Sequence, residues 1–285
     1  AKVTVLVVLM IVIGAAGYII YRTHGFSYRF PKIIQTLVNV NYDYKTSYRY
    51  STCFLTHKQN YQAFSHCIPE TGGTGKSLLL WGDSHAAHLY PGYKAVYGKS
   101  YAIIQRTTGG CPPILDLGIA NRVYCENINR EIFADLRKHP PTRVVLTANW
   151  LMYDLNALDK KLDDTITQLQ RAGVQNIDLI GPVPQWLDGL PKQLYTAYAK
   201  DPQHRVPYRM STGLDQRVPP IDVALRQKAT RLGINFISPE EILCNAQGCL
   251  TRLGDADESL ITWDYGHLTS QGSAFLVARF PKPQD

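Results

Sequence analysis

Residues 78–90 read "LLLWGDSHAAHLY". Leu78, Leu79, Leu80 and Trp81 make an unbroken apolar run, as a strand buried on both faces does, and Gly82 ends it. The chain then passes through Asp83 and Ser84 into a segment with helical spacing. Asp or Ser at that point is an ordinary helix cap, because its side-chain oxygen accepts an orphan backbone N–H. A hydroxyl at the carboxyl end of a strand, flanked by a carboxylate and an imidazole, is also where an α/β sheet carries a nucleophile. A serine is no nucleophile without a base, so the rest of the chain decides between the two readings.

Outward from this stretch the pattern alternates. The runs "SLLLW", "YAIIQ", "RVVLTA", "NIDLIG" and "INFIS" each read as a buried strand, with helical patterns at 84–97, 126–138, 157–172 and 221–232 between them. This rhythm predicts a parallel sheet covered by helices on both faces, a three-layer α/β/α domain over residues 77–285. Residues 185–219 interrupt it as a polar insertion containing Tyr and Pro, a size of loop that usually forms a lid or binding loop.

Residues 3–21 carry no charge and lie between Lys2 and Arg22, long enough to span a bilayer, so residues 1–22 read as a transmembrane helix. A signal peptide is the competing reading, but the run is long and lacks a small-x-small cleavage site. The chain begins with Ala1, and it is read as a piece of a longer protein, entered through its last membrane helix. Residues 23–76 form a linker or extension without a clear helical period. Within it Tyr42, Tyr44, Tyr48 and Tyr50 stand at even spacing, which predicts a strand with one aromatic face. "TGGTGK" at 71–76 reads as a flexible turn and lacks the spacing of a phosphate loop.

The net charge of +7 divides unevenly, because the first 32 residues hold Lys2, Arg22, Arg29 and Lys32 and no acid. The body therefore carries only +3, with no basic stripe to bind nucleic acid, and the juxtamembrane basics suit anionic lipid headgroups. Six cysteines fall into close neighbours, Cys53 with Cys67, Cys111 with Cys125 and Cys244 with Cys249. Local spacing favours these three disulfides over a zinc site, for which no CxxC or HxxxH spacing exists. Disulfides place the body outside the cytoplasm. Arg22 and Arg29, following the membrane helix, pull weakly the other way under the positive-inside rule.

The missing base is near the other end. "TWDYGHLTSQG", residues 262–272, places Asp264 three residues before His267. A Ser–His–Asp set needs a carboxylate that orients the imidazole accepting the serine proton. The alternative is that Asp264 caps a helix starting near His267. His85 and His88 look like a metal pair but have no third ligand, so no metal is expected, and both should pack around the helix start. His204, in the insertion, is a candidate substrate contact. Trp81, Trp150 and Trp263 each adjoin a motif and read as core wedges before sugar platforms.

Gly82-Asp83-Ser84 together with Asp264-x-x-His267 resembles the SGNH/GDSL hydrolase superfamily. With "WGDSHAAHLYPGY", "TTGGCPP" and "WDYGHLTSQG", residues 77 to 280 resemble one branch in particular. That branch is the SGNH domain fused behind the membrane acyltransferase-3 domain of bacterial envelope O-acetyltransferases, including O-antigen acetylating enzymes. The resemblance implies Ser84 as nucleophile, His267 as base and Asp264 as its orienting partner. It implies an oxyanion hole made by the Ser84 N–H, Gly110 (or Gly109) and Asn149 of "LTANW", although the superfamily's usual Gly-x-Asn-Asp is absent there. It further implies acetyl transfer through an acyl-serine to a hydroxyl of an O-antigen-like polysaccharide. The acetyl would come from acetyl-coenzyme A through an acyltransferase-3 membrane domain of the same longer chain, with no cofactor held by this domain. Residues 3–21 would sit in the bacterial inner membrane and the SGNH-like domain in the periplasm. A membrane-anchored carbohydrate acetylesterase and a non-catalytic glycan-binding module remain alternatives. At least one of the linker and the insertion is expected to pack over the strand ends beside Ser84.

Overall fold

The computed structural model describes residues 2–23, 25–38, 40–68, 75–254 and 259–282. Its strands are β1 (Phe54–Leu55), β2 (Ser77–Gly82), β3 (Ala102–Thr108), β4 (Arg143–Thr147), β5 (Asn176–Ile180), β6 (Arg209–Met210), β7 (Asn235–Ile237), β8 (Cys244–Asn245) and β9 (Gly248–Leu250). Among the described residues, a six-stranded sheet has the order β1-β3-β2-β4-β5-β7, with every pairing parallel. A small antiparallel sheet has the order β6-β9-β8. The helices are α1 (Lys2–Arg22), α2 (Lys32–Val38), α3 (Tyr44–Ser47), α4 (Ser84–Ala87), α5 (Tyr90–Tyr97), α6 (Cys125–Lys138), α7 (Leu155–Arg171), α8 (Leu190–Lys200), α9 (Val218–Leu232), α10 (Pro239–Leu243) and α11 (Ser270–Val277).

The unbroken apolar runs are explained by cover on both faces. Leu79, Trp81, Val144 and Leu146 pack with Ile132 of α6, Leu162 of α7 and Leu225 of α9. Their neighbours in sequence, Leu78, Leu80 and Val145, point the opposite way toward Tyr93 of α5 and Leu276 of α11. A sheet buried on both sides has no polar face to alternate with. Among the described residues, helix α1 buries none of its side chains, and it is long and apolar enough to cross a membrane.

The linker departs from expectation in two ways. It contains α2, whose Ile34 and Leu37 are buried with Leu190 and Leu194 of α8. The Tyr-rich stretch is not a strand. Asp43 caps α3 by accepting from the Thr46 N–H at 3.1 Å, and Arg49 and Ser51 then turn the chain at φ 59° and 62°. A carboxylate cap satisfies an orphan N–H of a helical turn and so favours that turn over a strand. Beyond that turn the linker supplies β1, which lies parallel to β3 with Phe54 opposite Thr107.

All three locally spaced cysteine pairs are disulfides: Cys53–Cys67, Cys111–Cys125 and Cys244–Cys249. The first closes a loop within the linker, starting beside β1. The insertion is folded rather than a plain loop, for it holds α8 and β6. Most of "TGGTGK" lies outside the described residues.

Candidate active site

Gly82 is where β2 must turn out of the sheet. Its φ is +157°, and a Cβ there would stand 1.8 Å from the Thr147 carbonyl oxygen of β4, so no other residue fits. Asp83, wholly buried, follows it and does cap α4, accepting the His85 N–H at 2.8 Å. Its other oxygen accepts the backbone N–H of Asn149 at 2.9 Å and the Tyr153 hydroxyl at 2.8 Å. One carboxylate thus ties the Ser84 turn to the end of β4. Burial pushes it up to about 6, against the pull of those three donors.

The turn that caps α4 also brings Ser84 to an imidazole. The Ser84 hydroxyl donates to His267 Nε2 at 2.9 Å, and His267 Nδ1–H donates to Asp264 Oδ2 at 2.7 Å. The carboxylate can only accept, which fixes this tautomer. The other Asp264 oxygen accepts the Gly266 and His267 N–H groups at 2.9 and 2.8 Å. Asp264 therefore closes its own turn and starts no helix; α11 begins later, capped by Thr269.

The residues named for an oxyanion hole behave differently from one another. Gly109 spends its N–H on the Leu55 carbonyl at 2.9 Å. Among the described residues, no protein acceptor takes the N–H of Ser84 or of Gly110. Gly110 sits at φ +65°, with the Arg122 guanidinium where a side chain would be, so glycine is required there for conformation and space. Asn149 uses its backbone N–H on Asp83 and turns its side-chain amide inward. Its Nδ2 donates to the Tyr265 hydroxyl at 2.9 Å and its Oδ1 accepts from Gln185 Nε2 at 2.8 Å.

His85 and His88 are buried behind His267, with ring centroids 4.8 and 6.1 Å from its own. Burial holds both imidazoles well below their ordinary range and hence neutral. His88 Nδ1 accepts the Leu268 N–H at 3.4 Å. His204 is exposed and packs on Tyr198 at 5.1 Å. Trp81 and Trp150 are core residues whose indole N–H groups reach Asn129 and the Ile180 carbonyl. Trp263, half-buried, stacks with Tyr42, Tyr44 and His267 and still borders two clefts.

Both irregular segments reach the loop that carries Asp264 and His267. From the insertion, the N–H groups of Trp186 and Leu190 donate to the carbonyls of Tyr265 and Asp264 at 2.7 and 3.0 Å. From the linker, Tyr44 covers Trp263. Leu37, Pro191, Lys192, Tyr195, Asp264 and Tyr265 line a cleft of about 590 Å³ where the three meet. Tyr153, Gln185 and Tyr265 were missed in the sequence. Only Tyr265 carried a signal, standing between Asp264 and His267; the other two meet their partners across many residues of chain.

A three-layer parallel α/β/α fold with a Ser–His–Asp hydrogen-bond array at its strand ends defines a protein of the hydrolase-like type. The chain belongs to the family described as the SGNH domain fused to AT3 domains, whose model matches residues 52–282. Its structure resembles the periplasmic domain of a lipopolysaccharide acetyltransferase from Salmonella ser. Paratyphi A, at 26% identity and TM-score 0.71, covering 85% of this chain and 97% of that one. A carbohydrate acetylesterase from Sinorhizobium meliloti matches at 14% identity and TM-score 0.44, covering 71% of this chain and 94% of that one. The M. Smegmatis aryl esterase matches at 12% identity and TM-score 0.45, covering 72% and 95%. No curated protein matches the chain in sequence.

Proposed function

We propose that this chain transfers an acetyl group, through an ester on Ser84, to a hydroxyl of a bacterial cell-envelope polysaccharide. The observation that carries the proposal is the continuous Ser84–His267–Asp264 hydrogen-bond chain. Membership of the SGNH family and likeness to a lipopolysaccharide acetyltransferase domain support the acyl chemistry.

In the first half-reaction the Ser84 oxygen bonds to the acetyl carbonyl carbon as His267 Nε2 takes the hydroxyl proton. The Ser84 and Gly110 N–H groups and the Asn149 amide would hold the oxygen that becomes negative. Collapse breaks the bond to the leaving group, which receives the proton from His267. In the second half-reaction His267 removes a proton from the sugar hydroxyl, whose oxygen attacks the acetyl carbon and displaces Ser84. Asp264 stabilises the imidazolium in both steps.

Helix α1 would anchor the body in the inner membrane, with the disulfide-bonded domain on the periplasmic side. A membrane acyltransferase-3 domain of the same longer protein would deliver the acetyl from acetyl-coenzyme A. The cleft between linker and insertion is the place for the acceptor, since the array's own loop forms one of its walls.

The test supplies an activated acetyl ester with and without envelope polysaccharide and follows both O-acetyl sugar and free acetate. Ser84-dependent O-acetyl sugar is expected; acetate alone, at every polysaccharide concentration, would make the chain an esterase. Tyr195→Ala should lower transfer and spare hydrolysis. This exposed residue is a cleaner probe than deletion of the insertion, which would remove buried Leu190, Leu194, Val206 and Met210.

A further inference from the structure

The linker does more than space the domain from the membrane helix. Tyr44 lies flat on the Trp263 indole, with ring centroids 5.3 Å apart and planes 7° apart. The same indole stacks with the His267 imidazole at 5.7 Å and 23°, and with Tyr42 at 6.0 Å and 27°. Trp263 therefore joins rings of the linker to the ring of His267. Tyr48, one helical turn after Tyr44, is buried, and its hydroxyl grips both sides of the same loop. It accepts the Trp263 indole N–H at 2.9 Å and donates to the Leu268 carbonyl, so its two partners flank His267 in sequence. The Tyr48 carbonyl is itself held by Gln105 Nε2 of β3 at 3.0 Å. Tyr42 adds a bond from its hydroxyl to Ser270 Oγ at 2.8 Å.

Besides the indole, the imidazole has its two hydrogen bonds and ring contacts with His85, His88 and Tyr265, all at steep angles of 55–84°. Rocking of the ring about the line joining Asp264 and Ser84 is opposed most directly by the contact closest to parallel with it, which is the indole at 23°. The indole needs backing in turn, which Tyr44 supplies by contact and Tyr48 by hydrogen bonding. We propose that Tyr44 and Tyr48 are positioning residues for the base, acting through Trp263, so that the active site includes the linker. The proposal rests on the reading of His267 as the base. Both tyrosines lie upstream of the family match, which begins at residue 52.

Displacement of a reacting group by about 1 Å can cost about 10²-fold in rate, so loss of one brace is expected to cost about tenfold. The whole chain in detergent is assayed for kcat and KM on p-nitrophenyl acetate, with unfolding temperature measured in parallel. Tyr48→Phe keeps the ring and loses only the hydroxyl; it should lower kcat about tenfold with KM within about twofold. Tyr44→Ala should do the same, and Tyr44→Phe, which restores the stacked ring, should recover kcat to within about twofold of the parent. Tyr61→Phe is the control. It deletes another linker hydroxyl, bonded to Asp135 of α6, and should leave kcat unchanged. Unchanged kcat in both Tyr48→Phe and Tyr44→Ala overturns the proposal. So does a loss that tracks the fall in unfolding temperature equally in Tyr61→Phe, or one that Tyr44→Phe fails to rescue. An active parent whose His267→Ala variant keeps full kcat refutes the assignment of the base instead, and is distinguishable from these outcomes.

Discussion

Replacing Asp83 with Asn separates what this buried carboxylate does for the fold from what it does for the site. The carboxylate accepts from three donors, two on one oxygen and the His85 N–H on the other. An amide has one acceptor. Its oxygen would go to Asn149 and Tyr153, leaving the NH2 against the His85 N–H, an unsatisfied buried donor costing about 1–3 kcal/mol. Against this, the wild-type group ionises at about 6 rather than 3.8 because it is buried, which holds about 3 kcal/mol against the folded ionised form. The two effects roughly cancel at pH 7, and the variant should lie within about 2 kcal/mol of wild type. The sign of the pH dependence follows from the raised value. The folded state holds this proton more tightly than the unfolded state, so the contribution is full below about pH 4 and is lost as pH rises through about 6. Wild type should therefore gain about 2 kcal/mol relative to Asp83→Asn between pH 7 and pH 4. Chemical unfolding of both proteins across that range measures it. The kcat should fall about 10–100-fold at pH 7 although stability barely changes, because the Ser84 turn loses its cap at the His85 N–H. A stability difference flat across pH 4–7, or an undiminished kcat, would refute the reasoning.

Three further outcomes are expected. Asn149→Ala should lower kcat by about 10²–10³ with little change in KM if its amide serves the oxyanion, and steady-state kinetics on an ester would show a loss under about fivefold if it does not. Removing the Cys111–Cys125 disulfide with paired serines should cost about 3 kcal/mol in unfolding experiments, since it closes a sequence separation of 14. Asp178→Asn should cost about 3–5 kcal/mol, because Asp178 faces Arg143 at 2.7 Å with both side chains under a tenth exposed.

The sheet was legible because its strands are buried on both faces and read as solid apolar runs. Ser84 and the Asp264–His267 pair were legible because strand-end position and three-residue spacing both leave marks in sequence. The rest was hidden for definite reasons. β1 is two residues long, too short for any periodicity, and its pairing depends on a chain turn pinned by Cys53–Cys67. α8 is entered through Pro191, and its Leu190 and Leu194 sit among Tyr and Lys, so the stretch looked like a polar loop. The even tyrosine spacing suggested a strand, but the Asp43 cap overrides it, and Tyr44 and Tyr48 share a face at helical spacing instead. Asp83's bond to Asn149 spans 66 positions of chain and has no local signature at all.

The central claim is that acetyl passes through Ser84, and trapping the intermediate tests it most directly. The chain is mixed with an activated acetyl ester, quenched in acid within the first turnover, digested and mapped by mass spectrometry. One acetyl group is predicted on the peptide bearing Ser84, absent in Ser84→Ala and in His267→Ala, and discharged onto sugar when polysaccharide is added before the quench. Acetyl on another residue, or none on Ser84 in a preparation that turns over, would contradict the account.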